Sequence, residues 1–555
     1  GIAFIVALLA STVVALTLTP VLCSYLLGKG KTDKDISREP FVARTLKKYY
    51  GQALEWALRH RTGVLGGTIA LFVAAMITFF TLGRSFLPPF NEGSFTINVS
   101  TLPGISLEES DNIGRRAEEL LLEVPEIQTV ARKTGRAELD EHALGVNTSE
   151  IEAPFVLGDR SHAEVVADVR KKLSVIPGVN IEIGQPISHR IDAMLSGTQA
   201  RIAIKLFGDD LNRMFMLGNQ IKKNISAIDG VVDLNVEQQI ERPQLKITPR
   251  REMLARYGVS LSEFAEFIDV ALAGEVVSQV YEGSRTFDLT VKVKDDERSS
   301  AAKIGDLMVD TQDGKVPLSY LAEIKSATGP NTINRENVKR KIVISANVSD
   351  RDLRSVVDDI RERIDETVVL PEGYFIEYGG QFESEAAASR TLSFVSLFSL
   401  LVVFLLLYNQ FRSVSQSAVI LLNLPLALIG GVFILRFTTG EISIPAIIGF
   451  ISLFGIATRN GMLLVSHYNT MLSEGNSLHD TILRGSLDRL NPILMTALTS
   501  ALALIPLALG GDLPGNEIQS PMAKVILGGL ITSTFLNAFV VPVVYWIMNR
   551  KKENR

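Results

Sequence analysis

The chain has 555 residues, 46 % of them hydrophobic and 21 % charged, with a formal net charge of −5. So small a net charge argues against a nucleic-acid partner. A single cysteine, Cys23, excludes an internal disulfide and a thiolate-rich metal site.

Hydrophobic and charged residues are segregated along the chain. A bilayer-crossing helix needs roughly 20 mostly apolar residues. The first such stretch is 1–27, which opens at Gly1 with no basic region before it. It therefore does not read as a secretion signal. The simplest expectation is that an N-terminal part precedes it; a split-gene product is the alternative. Residues 28–62 form a basic linker. Within it Phe41, Leu46, Tyr49, Leu54 and Leu58 recur near helical spacing between basic residues. That pattern predicts an amphipathic helix on the membrane surface, or a plain linker helix. A second span covers 63–82.

The segment 83–390 has the composition of a soluble protein. It repeats one unit: amphipathic helix, short turn, strand. Helices at 107–122, 162–173, 211–228 and 353–368 lead to strands at 127–131, 179–183, 231–236 and 374–378. Strands at 94–100, 201–206 and 341–347 precede helices. Strand–helix–strand in pairs predicts two ferredoxin-like split βαβ modules. The piece 244–328 breaks the pattern and reads as an insertion into the second module.

Five further spans follow at 392–408, 414–437, 442–465, 492–509 and 522–548. Positive charge orients them. Lys29, Lys31, Lys34, Arg38, Arg44, Lys47, Lys48, Arg59 and Arg61 lie between the first two spans. Arg412, then Arg484 and Arg489, then the tail from Arg550 to Arg555 lie on the same side. The opposite loops carry Glu441, Asp512 and Glu517, with only Arg436 and Lys524 at span ends. The basic set belongs in the cytoplasm. That puts 83–390 outside, which in a Gram-negative cell is the periplasm.

Arg459 lies deep in the fifth span. A central arginine costs roughly 2.5–3.5 kcal/mol on insertion scales, so it is expected to face a protein interior and pair with a carboxylate. No Asp or Glu falls within the seven predicted spans. The partner is therefore expected from outside this chain. Thr496, in the sixth span, is a candidate hydrogen-bonding group in the same interior. Gly430-Gly431 and Gly528-Gly529 read as close-packing positions, and Lys524 as snorkelling to the interface.

These features together resemble the resistance–nodulation–division (RND) permeases. Gly455-Ile456-Ala457-Thr458-Arg459-Asn460-Gly461 is similar to the family's tenth helix, and Arg489-Leu490-Asn491-Pro492-Ile493-Leu494-Met495-Thr496 to the start of its eleventh. Ser100-Thr101-Leu102-Pro103-Gly104 resembles the opening of the porter domain in the heavy-metal efflux branch. Gly184-Gln185-Pro186-Ile187-Ser188-His189-Arg190-Ile191-Asp192 and Tyr378-Gly379-Gly380-Gln381-Phe382-Glu383 resemble its cobalt–zinc–cadmium type. The order of these stretches corresponds to the family's C-terminal half.

The resemblance implies a membrane α-helical bundle of seven spans with a periplasmic α+β porter domain of ferredoxin-like modules. The porter subdomains would be 84–200, and 201–243 with 330–390; a docking subdomain would be 244–329. It implies a proton-driven antiporter of the bacterial inner membrane rather than an enzyme. It has no cofactor beyond the transported metal cation and protons. The implied partners are the missing N-terminal half, a homotrimer, a periplasmic adaptor and an outer-membrane channel. Arg459, Asn460 and Thr496 become candidate proton-relay residues. At the positions of the copper branch's methionine triad stand Ile105, a residue near Ile151, and Ala193 or Met194. That is poor for soft Cu(I). Glu138, Asp140, Glu141, His142, Glu150, Glu152, His189 and Asp192, with Met194, offer carboxylate and imidazole, which suit Zn(II) or Co(II) better. The expected function is export of divalent heavy-metal cations. Export of drugs or other organic solutes, and a non-transporting half-protein, are the alternatives.

Overall fold

The computed structural model describes the chain except residues 1, 28–39, 89, 103, 136–144, 197–199, 240, 331, 350, 512, 514 and 554–555. It divides into two compact units, Gly1–Leu82 with Ser389–Arg555, and Gly83–Ala388.

The first unit is helical. Among the described residues, seven helices are long and apolar enough to cross a membrane: Ile5–Leu26, Arg61–Thr81, Gln381–Phe411, Val414–Thr438, Ile444–Ser473, Leu478–Leu509 and Gln519–Arg550. Two begin well before the predicted spans. The sixth starts at Leu478 because Ser477 caps it, accepting a hydrogen bond from Asp480 N at 3.1 Å. The helix thus carries Asp480 and Asp488 ahead of its apolar part, and helical order continues through Pro492. In the fourth span the helix is interrupted at Leu422, between Val414–Leu421 and Asn423–Thr438. Pro425, three residues on, has no N–H to bond back across that turn.

The two glycine pairs pack against each other. A Cβ on Gly430 would lie 2.1 Å from Gly528 O, and one on Gly528 would lie 2.6 Å from Gly430 O. Without side chains the fourth and seventh spans meet backbone to backbone, and Thr532 bridges them, accepting from Gly430 N at 3.1 Å.

Helix Phe41–Arg59 has three faces. Tyr50, Leu54 and Ala57 pack inward, and Tyr50 donates to Ala538 O at 2.7 Å. A quarter turn round, Val42, Leu46, Tyr49 and Trp56 form an exposed apolar stripe at 3–4 spacing. Lys48 and Arg59 lie on the remaining face.

The second unit begins with the first ferredoxin-like module. Its strands are β1 (Ser94–Ser100), β2 (Ala131–Thr134), β3 (Thr148–Pro154) and β4 (Asn180–Gly184), with helices α1 (Leu107–Leu122) and α2 (His162–Leu173). The sheet order is β2-β3-β1-β4, all antiparallel. Ser106 and Ser161 cap the two helices. Phe95, Ile97 and Val99 of β1 alternate onto the helix side and form the core with Ile151, Leu121 and Val169. The predicted strand at 127–131 falls later, at Ala131–Thr134, because Ile127 is held in a turn, N–H to Val124 O at 3.0 Å.

The second module repeats the plan with β5 (Ile202–Phe207), α3 (Leu211–Ile225), β6 (Val231–Val236), β7 (Lys339–Val348), α4 (Leu353–Thr367) and β8 (Phe375–Gly380). Its order is β6-β7-β5-β8. The inserted lobe leaves on strand Glu241–Pro249 and returns on Ala322–Pro330, paired antiparallel from Ala322↔Pro249 to Pro330↔Glu241. It has its own core around Leu254, Phe264, Leu318 and Leu321. One hairpin of it, Glu275–Glu282 with Arg285–Val291, is exposed along its length.

Candidate functional site

Two places gather the residues that sequence reasoning singled out. The first is the centre of helix Ile444–Ser473. Arg459 is exposed on it and makes no hydrogen bond or ion pair among the described residues. Asn460, next to it, points the other way: it is 2 % exposed and its Nδ2 has no partner. Gly461 then leaves room for Asn423, whose Nδ2 would lie 1.9 Å from a Cβ there. Asn423 sits at the break in the fourth span, fully buried. It donates to Ile420 O at 2.9 Å, and its Oδ1 is unpartnered. Thr496 is half-buried and donates to Pro492 O of its own helix at 2.9 Å. Among the described residues the structure brings Asn423 against Gly461, the neighbour of Asn460, but does not pair Arg459 with Thr496.

Sequence reading missed Asn423. The signal was present: a polar residue two before a proline inside an apolar run. It also missed a polar network in the same unit. Gln416 and Asn469 exchange hydrogen bonds at 3.0 and 3.1 Å, and Tyr545 donates to Asn469 Oδ1 at 2.8 Å. Buried Tyr468 bonds Ser486.

The second place is the sheet face of the first module that turns away from its helices. Antiparallel register puts Thr96 opposite Glu152 and Gly184, and Asn98 opposite Glu150 and Glu182, all on that face. Glu152 accepts from Thr96 Oγ1 at 3.1 Å and Ser94 Oγ at 3.4 Å. Glu150 is ion-paired with Lys133. Helix Pro186–Ser196 packs on β1 and on β8. Its start is held by Glu92, which accepts from Ile187 N at 2.6 Å and Ser188 N at 3.1 Å. His189 on this helix is 4 % exposed, and neither ring nitrogen has a partner. Burial pushes its pKa down to about 4, so the ring is neutral and both nitrogens stay uncommitted.

The candidate metal residues are thus only partly assembled. Glu150 and Glu152 are engaged by neighbours, and His189 is buried with open nitrogens. Met194 is 79 % exposed. Ile151 faces the core, 0 % exposed. Glu138, Asp140, Glu141 and His142 lie outside the described residues, as does the Asp192 side chain. Among the described residues no three His, Cys, Asp or Glu side chains are arranged to hold a metal ion.

The two-module soluble unit and the seven-helix unit are the architecture of an RND permease. Residues 1–549 match the AcrB/AcrD/AcrF family, and the chain belongs to it. It is 33 % identical over 562 residues to protein HelA of Legionella pneumophila, covering 99 % of this chain and 53 % of that one. It is 33 % identical over 563 residues to the cobalt-zinc-cadmium resistance protein CzcA of Cupriavidus metallidurans, covering 99 % and 52 %. The solved structure of a heavy metal efflux pump superposes with a TM-score of 0.79 at 28 % identity, over 92 % of this chain and 52 % of that one. The chain therefore spans about half the length of the relatives it matches, and the resemblance to the heavy-metal efflux branch holds across nearly all of it.

Proposed function

We propose that this chain is one half of a proton-driven exporter of divalent metal cations in the bacterial inner membrane, with residues 84–390 in the periplasm. The observation that carries the proton coupling is Arg459: a guanidinium at mid-span, exposed and without a partner among the described residues. Such a group is costly facing lipid, so a carboxylate from the other half is its natural complement. The relatives' names, cobalt-zinc-cadmium and nickel-cobalt resistance proteins, support the cation class. The cation would enter near helix Pro186–Ser196, with the imidazole of His189 and the carboxylates of Glu150 and, from the sequence, Asp192 as its proposed ligands. The assembled pump would be a homotrimer joined to an adaptor and an outer-membrane channel. The test is proton efflux from proteoliposomes holding this chain with its other half. Zn(II) or Co(II) should stimulate it and hydrophobic drugs should not. Stimulation by drugs alone would move the reading to an organic-solute exporter.

A further inference from the structure

Both faces of the first module's sheet are covered. Thr96 and Asn98, on the side away from the helices, are 4 % and 3 % exposed. Helix Pro186–Ser196 packs on β1, and strand β6 of the second module packs against the edge strand β4. Polar side chains of both modules meet at that seam.

Two bonds cross it. Arg170 of α2 grips Asp233 of β6 with both ends of its fork, at 2.8 and 3.0 Å. Asp233 has a side chain only 4 % exposed, also accepts from Asn347 Nδ2 at 3.1 Å, and sits in the left-handed region at φ 51°. That backbone is tolerated by Asp and held by those partners. The second crossing is Glu182 of β4, whose Oε1 accepts from Ser345 Oγ of β7 at 3.4 Å. Asn235 of β6 lies opposite Ser345 in the same sheet, and its Oδ1 is buried and has no donor.

Arg170 is committed to Asp233. Glu182 has no cation against it among the described residues, and the charge it feels is that of Asp233. The other ionisable groups on these sheet faces are Glu150, paired with Lys133, neutral His189, Lys205 and Lys341, both paired with Glu336, and Glu377 opposite Lys205. An ionised Glu182 is thus a second carboxylate in a covered seam, repelled by the first. A neutral Glu182 has an O–H to give, and Asn235 Oδ1 lacks one.

We propose that Glu182 is a proton-binding site that fastens the two modules: protonated, it bonds across the seam, and ionised, it loosens it. Burial first, and Asp233 second, raise its pKa above the usual carboxylate range. The closed seam therefore binds the proton more tightly than an opened one, where Glu182 meets water. The proton's contribution to closure is complete below the ordinary glutamate value and is lost as pH rises through the raised one. This inference rests on the seam itself and not on the transport reading.

The test is a pulsed-EPR distance in the full protein in detergent. Spin labels go on Val175→Cys and Met216→Cys, at exposed positions of the two modules, in a Cys23→Ser background. From about pH 5 to about pH 9 the short-distance population should give way to a longer one. Glu182→Gln, which keeps shape and a donor, should stay short throughout. Asp233→Asn should move the midpoint down, and Ser345→Ala should move it up. A distance distribution that ignores pH, or a Glu182→Gln protein that follows the wild-type curve, overturns the proposal. Transport assays are not involved, so a failure of the metal reading leaves this one standing.

Discussion

Gly430 and Gly528 face each other so closely that a single methyl group on either would strike the other's carbonyl oxygen, at 2.1 and 2.6 Å. Backbone on both sides leaves nothing to rotate away. Gly528→Ala should destabilise the helical unit by about 1–3 kcal/mol, the usual range for overpacking. Gly67→Ala is the control, because a Cβ there meets nothing within 4 Å. Thermal unfolding in detergent, followed by circular dichroism, separates the two.

Arg459→Ala should abolish proton flux in the reconstituted pump while helix content and melting temperature stay unchanged, since Arg459 touches no described partner. Arg459→Lys should recover part of the flux by restoring the charge. Full flux in the alanine variant would remove Arg459 from the proton path.

His189→Ala and Asp192→Ala together should weaken Zn(II) or Co(II) binding at least tenfold, about 1.4 kcal/mol, by isothermal titration calorimetry. The Met194→Ala protein should bind as the parent does, because that thioether is exposed and suits softer ions. Unchanged affinity in the double variant would take helix Pro186–Ser196 out of the cation path.

In the first module Arg132 pairs with Asp111 at 2.9 Å and with Glu118 at 3.1 Å. Its hydrogen bond, then that of Arg115, holds the Asp111 carboxyl below the usual range. Stability from Asp111 is therefore present above the ordinary aspartate value and lost as pH falls through the lowered one. Arg132→Met should melt lower than wild type at neutral pH and lose less on acidification. Parallel acid curves for the two proteins would mean the pair contributes nothing there.

Trp56 lies in the exposed apolar stripe of helix Phe41–Arg59, its ring stacked on His60 at 4.9 Å. With Trp546→Phe it becomes the lone tryptophan. Its fluorescence should be quenched by lipids brominated high on the acyl chain and hardly at all by aqueous iodide. Strong iodide quenching would mean the stripe meets water.

Much of this was legible in the sequence because periodicity survives burial. The two modules announced themselves through alternation in strands such as Ser94–Ser100 and helical spacing in Leu107–Leu122. What stayed hidden was pairing across distance. No local pattern places Gly430 against Gly528, or Asn423 against Gly461, because those neighbours are set by how helices pack. Asp233 and Glu182 are single acidic residues inside short strands, and nothing local in the sequence marks them. Only the register of two sheets and the packing of β6 on β4 make them neighbours. The sixth helix shows the limit of hydropathy: charged residues among the leucines of 478–491 concealed a helix whose start a serine cap declares.

The inserted lobe also sets an order of assembly. The first module's strands and helices are contiguous in the chain, from Ser94 to Gly184. The second cannot complete its sheet until β7 arrives, because Val231–Val236 waits for Lys339–Val348 as its neighbour. As the chain emerges from the ribosome, the lobe is made and can close on its own core while the module around it stands half built. Contacts so distant in sequence form late. The unpaired edge of Val231–Val236 is then open to wrong neighbours for as long as the lobe takes to synthesise.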